Sequence, residues 1–238
     1  MNSFPVGKPY RNRLLSSLPE SEMQRLRPHL LPVDLERSKT LHDVGQPIET
    51  VYFLEQGVCS IVSTMRDGSS VEVGVVGRDG FIGIPAILGT GHSLNRSFIQ
   101  LPGSGYSIRA KVLQEQCFEG TGELRLSLLR AIQGLLVQTA QTAACNRVHQ
   151  IEERLSRWLL MCYDRVQTDY LSITHEFLAI MLGTRRSTVS VAAGILQKAG
   201  FIEYSHGHVK IINRSGLEEA ACECYSVVRE EYIRLGLL

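Results

Sequence analysis

Thr174-His175-Glu176-Phe177-Leu178-Ala179-Ile180-Met181-Leu182-Gly183-Thr184-Arg185-Arg186-Ser187-Thr188-Val189-Ser190 reads as two short helices joined by a glycine turn. Thr174 can cap a helix running from His175 to Leu182, with Glu176 near the amino end that favours negative charge. Gly183 ends that helix, because glycine enters the left-handed conformation without a side-chain clash. Residues 184–186 turn into a second helix, Ser187 to Lys198, stopped by Gly200. Leu178, Ile180 or Met181, Val189, Ala193 and Leu196 form the expected inward face. Two helices of this length with a tight turn have the outline of a helix-turn-helix. Three short segments follow, Phe201 to Tyr204, Ser205 to His208 and Val209 to Ile212, and they write a β-hairpin in the place of a wing.

The second helix puts Arg185, Arg186, Ser187, Thr188 and Ser190 at its start. A guanidinium can fork onto O6 and N7 of guanine, hydroxyls can reach phosphates or base edges, and a helix amino terminus itself favours phosphate. Thr174 at the first helix and His206, His208 and Lys210 on the hairpin complete the expected contact set, with the two hairpin histidines placed for the DNA backbone. The whole chain carries 25 basic and 24 acidic residues, a net +1, yet residues 172–214 hold five basic residues (Arg185, Arg186, Lys198, Lys210, Arg214) against two acidic ones (Glu176, Glu203). A near-neutral protein thus contains one locally basic module, and double-stranded DNA is the expected partner.

Upstream, residues 122–145 contain no proline, and Leu124, Leu128, Ile132, Leu135, Leu136, Ala140 and Ala143 recur every three or four positions. That is one long helix whose seam needs a partner: packing across the chain's own sheet is one reading, and a seam between two subunits is the expectation. Ile151 to Met161 writes a second helix, followed by a loop at Gln167–Tyr170. Residues 31–110 read differently: Val51–Leu54, Ser60–Ser63, Val71–Val76, Ser97–Ile99 and Gly105–Ile108 are β-type runs broken by Gln56-Gly57, Arg66-Asp67-Gly68 and Gly77-Arg78-Asp79-Gly80. Short strands at that spacing indicate an antiparallel barrel or sandwich. At the front, Pro19-Glu20-Ser21-Glu22 looks like a helix start between Leu14, Leu15, Leu18 and Met23, Leu26.

At 238 residues and 44% apolar content the chain can bury a full core without disulfides or structural metal. Its apolar runs are too short to cross a bilayer, the first residues show no signal peptide, and no membrane partner is expected. The cysteines at 59, 117, 145, 162, 222 and 224 lack the spacing of a secreted disulfide framework, so the expected setting is a reducing cytoplasm. There is no P-loop, Gly-x-Ser-x-Gly or Cys-x-x-Cys, and the one His-x-His pair, His206 and His208, sits on the hairpin; no enzyme activity is expected.

Together, Ile151-Glu-Glu-Arg-Leu-Ser-Arg-Trp-Leu-Leu160 and the stretch from Thr174 to Ser190 resemble the Crp/Fnr family of bacterial transcription regulators, and the likeness runs from about residue 30 to 214. The resemblance implies an α+β chain: an antiparallel, cyclic-nucleotide-binding-like β-roll over 1–120, a dimerisation helix and hinge over 121–150, and a winged helix-turn-helix with a C-terminal helix over 151–238. It implies a homodimer joined through helix 122–145, an inverted-repeat operator, and RNA polymerase as a further partner. Arg186 matches the family arginine that reads a guanine. Ser187 and Ser190 stand where the best-known members have glutamate and glycine, and Val191 replaces a polar contact residue, so a different half-site is implied.

In cyclic-nucleotide-binding relatives a Gly-Glu-Leu segment and an Arg-Ser/Thr pair hold the ribose and the phosphate. By resemblance Gly83, Arg96, Ser97 and, on the long helix, Thr139 are the effector-binding candidates. Ile84 replaces the glutamate, which leaves a buried ribose hydroxyl unpaired at a cost of roughly 1–3 kcal/mol, so cyclic AMP is not the expected effector and its identity stays open. No cysteine precedes Cys59, so the family's amino-terminal iron–sulfur cluster is not expected. Cys222 and Cys224, two apart, would point to different sides of a helix and are read as small buried hydrophobes, with no metal site expected. An oxidation or metal switch where Cys145 approaches Asn146 and His149 remains an alternative. So do effector-independent control and a cyclic-nucleotide-sensing module whose helical tail binds protein.

Overall fold

A computed structural model describes residues 10–166, 168 and 170–238; residues 1–9 and positions 167 and 169 of the expected loop lie outside the described residues. The described residues begin with α1 (Arg13–Ser17) and α2 (Glu20–Leu26), which meet at Leu18–Pro19. Asn12 caps α1 through its Oδ1, while its Nδ2 donates to the carbonyls of Leu54 and Gly80, pinning the chain's start to two turns of the following sheets. Strands β1 (Leu31–Leu35), β2 (Thr40–His42), β3 (Thr50–Leu54), β4 (Val58–Thr64) and β5 (Ser70–Val76) follow. Helix α3 (Ile84–Ile87), β6 (Arg96–Leu101) and β7 (Gly103–Arg109) complete the roll.

All pairings are antiparallel, in two sheets ordered β1-β7-β3 and β2-β6-β4-β5. Leu35, Leu54, Cys59, Val76, Ile82 and Ile99 form one buried cluster of the roll. The turn at Arg66-Asp67-Gly68 forms as the sequence predicts, with Asp67 Oδ1 accepting from Ser69 N at 2.9 Å. β1 and β2 are too short, and Pro32 too disruptive, to stand out in the sequence.

After α4 (Ala110–Phe118) comes α5 (Glu123–Val148), 26 residues long. It carries two apolar stripes, and the structure reassigns the expected seam between them. Leu124, Leu128 and Ile132 are buried inside the chain, against α1, α4 and the C-terminal helix. Leu126, Leu129, Gln133, Leu136, Ala140 and Ala143, spaced alternately by three and four, face outward, with Leu136 61% exposed. Only Leu136, Ala140 and Ala143 of the sequence-derived seam lie on that outward stripe.

Helix α6 (Ile151–Val166) leads to β8 (Tyr170–Ser172), α7 (His175–Met181), α8 (Arg186–Lys198), β9 (Ile202–Ser205) and β10 (His208–Ile211). The hairpin gains a third strand that the sequence hid, in the order β8-β10-β9. α9 (Arg214–Glu219) and α10 (Cys224–Arg234) close the chain. Although α10 follows the winged module in sequence, Val228, Tyr232 and Leu237 join the core of α1 and α5. No helix among the described residues is long and apolar enough to cross a membrane.

Candidate nucleic-acid interface

Thr174 caps α7 as its sequence position predicts: its Oγ1 accepts from Phe177 N at 3.2 Å. Gly183 follows the helix at φ +59°, the left-handed geometry that makes glycine the natural stop. α8 begins one residue earlier than expected, at Arg186, with Arg185 in the extended N-cap position. Leu178, Met181, Val189, Ala192, Ala193 and Leu196 are buried. Ile180 is 45% exposed, so Met181 and not Ile180 supplies the inward contact.

That buried frame leaves one polar edge of α8 in solvent. Arg185, Arg186, Ser187 and Ser190 are exposed and Thr188 is half-buried. Arg186 Nη1 lies 3.6 Å from Glu176 Oε2, both side chains about 70% exposed, an ion pair worth little in water and easily exchanged for a phosphate or a base edge. Ser190 is less free. Its Oγ lies 3.0 Å from the Arg186 carbonyl and 2.9 Å from His175 Nδ1. His175 in turn stacks on Tyr204 of the wing at 4.0 Å between ring centroids. Partial burial, then the Arg186 charge, lower the pKa of His175, which keeps the imidazole neutral in this contact. Tyr204 N donates to Gln197 Oε1 at 2.8 Å, so α7, α8 and β9 form one braced unit. His175, Tyr204 and Gln197 were not legible as a set, because their contacts cross three elements.

On the wing, His206 sits at the tip with φ +48° and its Nδ1 lies 2.7 Å from Ser205 Oγ. His208 is exposed and pairs with Ser205 and Ser172 in the sheet. Lys210 Nζ lies 5.4 Å from the ring centroid of Tyr170, so the central strand carries its charge over an aromatic face. Between the β4–β5 hairpin and the motif lies an open groove of about 1130 Å³. Met65, Ser69 and Val71 line one side and Glu176, Arg185 and Arg186 the other.

Of the effector candidates, Gly83, Arg96 and Ser97 neighbour β2, and Thr139 lies on α5. Gly83, at φ +114°, faces Val51, His42 and Ile48 closely enough that an added Cβ would sit 3.0 Å from Val51. Arg96 is exposed and donates to Thr40 Oγ1 at 2.7 Å, while Ser97 is buried. Thr139 lies on α5 over Gly74, its Oγ1 3.8 Å from where a Cβ of that glycine would be. Between α5 and β5 the contact is tight: Leu135 Cδ1 comes within 2.8 Å of the same position. Gln138 Oε1 accepts from Val75 N at 3.1 Å, and its Nε2 donates to Val75 O at 3.0 Å and Tyr232 Oη at 2.9 Å.

The roll also grips the DNA-binding end. Trp158 Nε1 of α6 donates to Glu72 Oε1 of β5 at 2.6 Å, and burial pushes the Glu72 carboxyl up to about 7. Arg165 pairs with Asp79 at 2.6 Å, both almost fully buried. Val71 of the hairpin packs against Gly183, and Arg154 donates to the Leu182 carbonyl, so the motif turn touches both the roll and α6.

A sequence model of the Crp-like helix-turn-helix domain matches residues 153–220, and one of the cyclic nucleotide-binding domain matches residues 32–118. The chain belongs to the Crp/Fnr family of transcription regulators. Among curated relatives, the global nitrogen regulator of Nostoc sp. is 25% identical over 177 residues, covering 70% of this chain and 78% of that protein. The transcriptional regulator LdrP of Thermus thermophilus is 23% identical, covering 78% and 94%. In fold, this Crp/Fnr member matches FixK2 from Bradyrhizobium japonicum with a TM-score of 0.66 at 14% identity, over 81% of this chain and 98% of that one. It matches the c-di-GMP responsive global regulator CLP of Xanthomonas campestris with a TM-score of 0.67 at 15% identity, over 81% and 99%. The roll, the long helix and the C-terminal helix-turn-helix anticipated from the sequence are those of the family.

Proposed function

We propose that this DNA-binding regulator works as a homodimer that reads an inverted repeat through α8 and answers a signal other than cyclic AMP. The observation that carries the DNA reading is the polar edge from Arg185 to Ser190, held in solvent on a fully buried apolar frame. Arg186 exchanges its weak pairing with Glu176 for a guanine; Ser187, Thr188, His206 and the exposed start of α8 contact the backbone. Val191, 63% exposed on the same edge, suits a thymine methyl. Thr174 and Ser190 act through the fold, as cap and brace, as much as through DNA.

The outward stripe of α5 supports the dimer. Leu126, Leu129, Gln133, Leu136, Ala140 and Ala143 have the alternating three-and-four spacing of a two-helix seam, and they are left bare by a chain that buries the opposite stripe. Two such rods set the motif helices about one DNA turn apart, ~34 Å. A signal at the roll reaches the motif through the Asn146–Gln150 joint and through Val71 against Gly183. Ile84 in place of the glutamate argues against cyclic AMP, as does the close fit of Leu135 on Gly74.

Selection of bound duplexes from a random pool tests this reading. The expected product is an inverted repeat with half-sites one turn apart, and Arg186→Ala relaxes one base position in each. Recovery of no preferred sequence, or of a single unrepeated half-site, overturns it.

A further inference from the structure

We infer that Cys145, His149, Cys222 and Cys224 form a mononuclear binding site for a thiophilic divalent cation of the zinc class. Their ligand atoms all lie within 4.8 Å of one another. Cys145 Sγ is 3.5 Å from Cys222 Sγ, and Cys224 Sγ is 3.5 Å from His149 Nδ1. Zinc bonds of about 2.3 Å to sulfur and about 2.0 Å to nitrogen, disposed tetrahedrally, put ligand atoms roughly 3.5–3.8 Å apart, so the four need only small adjustments.

On a shared helix Cys222 and Cys224 would point to different sides, but they do not share one. Cys222 lies in the loop before α10 and Cys224 is the first residue of that helix, and the change of backbone direction turns both thiols toward α5. Cys145 lies in the last turn of α5 and His149 is the residue that caps it, with ligand atoms brought to one side of the helix end. Cys145, Cys222 and Cys224 form a buried cluster of their own, apart from the three apolar cores.

The surroundings are those of a ligand set rather than of packed hydrophobes. His149 Nε2 lies 3.0 Å from Glu223 Oε2, and a proton held on that side leaves the Nδ1 lone pair aimed at the thiols. Carboxylates orient metal-binding histidines in this way. Gln141 Nε2 donates to Cys224 Sγ at 3.1 Å. Arg154 and Arg157 of α6 place positive charge beside Cys145 and offset the excess negative charge that three thiolates leave on a divalent ion. A cluster of several irons spreads its thiolates over different metal atoms and holds them farther apart, so the compactness favours one ion.

Binding displaces the thiol protons and forms one metal bond from each of three sulfurs and one nitrogen; no electrons are exchanged. The ion would tie the end of the long helix, at the joint to α6, to the start of the tail helix. The inference stands apart from the DNA reading, because its readouts involve no DNA.

The test uses full-length protein, reduced and stripped with a chelator, then titrated with cobalt(II) and, in competition, zinc(II). One equivalent per chain is expected, with the intense visible bands of tetrahedral cobalt and a thiolate charge-transfer band, both bleached by zinc. Glu223→Gln is expected to weaken binding by ~10–100-fold while leaving the band positions alone. His149→Ala and Cys222→Ser are expected to lose the tetrahedral spectrum. Because a cysteine variant could fail to fold, alkylation of the unmutated chain gives an independent readout. Zinc should protect Cys145, Cys222 and Cys224 and leave the alkylation of Cys59, Cys117 and Cys162 unchanged. A weak six-coordinate cobalt spectrum, or no protection of the three thiols by zinc, overturns the site. So does recovery of the reduced protein with Cys145 and Cys222 forming only a disulfide on air exposure and taking up no metal. A normal selected operator alongside any of these results would leave the DNA reading intact.

Discussion

On one exposed edge of the molecule Arg185, Arg186, Ser187 and Ser190 stand in water on a helix sealed beneath by Val189, Ala192, Ala193 and Leu196. In the interior, α5 lies so close to β5 that Leu135 fills the space beside Gly74 and the Gln138 amide is fully used. The polar edge of α8 is an open surface on a rigid frame, and the α5–β5 face is closed by the chain's own side chains. Under the proposed function, substitutions at the first change which sequence is bound and little else. At the second, any change is felt by the packing and, through α5 and α6, by the spacing of the two motif helices. That reading places specificity in exposed side chains and control in buried contacts.

Breaking the outward stripe of α5 should have the largest effect. Leu136→Asp is expected to give a folded monomer by sedimentation and to reduce affinity for a two-half-site duplex on the order of 10²–10⁴-fold, because the second half-site loses its tethered partner. An unchanged dimer would move the seam elsewhere.

The closed side should show its buried charge as a pH effect. Burial raises Glu72 from an ordinary 4.5 to about 7, so the folded state holds this proton more tightly than the unfolded state. Its contribution to stability is therefore greatest in acid and is lost as the pH rises through about 7, a change on the order of 3 kcal/mol. Glu72→Gln keeps an acceptor for Trp158 and is expected to flatten that fall in chemical denaturation at about pH 5 and about pH 8. An equally steep decline in the variant would assign the pH dependence to other groups.

On the open side, Arg186→Ala is expected to cost ~1–3 kcal/mol of specific binding, leave the melting temperature unchanged and relax one base position, as measured by gel shift on the selected operator and its single-base variants. A uniform loss on all sequences would make Arg186 a phosphate contact. The smallest effect concerns the frame itself. Thr174→Ala removes the cap of α7 and should lower stability by about 1 kcal/mol, seen in urea denaturation, with the base preference retained.

The open region was legible in the sequence because its signals are local. A cap, a glycine stop and a run of apolar residues at helical spacing lie within twenty-odd positions, and each acts on its immediate neighbours. The closed region was not. Long helix α5 is apolar on two sides, and only the folded chain shows that Leu124, Leu128 and Ile132 are already covered while Leu126, Leu129 and Leu136 are bare. β8 has three residues and gains its identity from pairing with β10. Cys222 and Cys224 met Cys145 only because a loop separates them from the regular helix that their spacing suggested.

Gln138 has a consequence for solubility. β5 is the outermost strand of its sheet, and an uncovered margin of that kind invites pairing with strands of foreign chains. The carboxamide offers Val75 one acceptor and one donor, as an adjacent peptide group would, so the helix imitates the missing neighbour. With hydrocarbon there instead, as in Gln138→Leu, the margin would stand unsated, and concentrated stocks should form aggregates that bind amyloid-sensitive dyes.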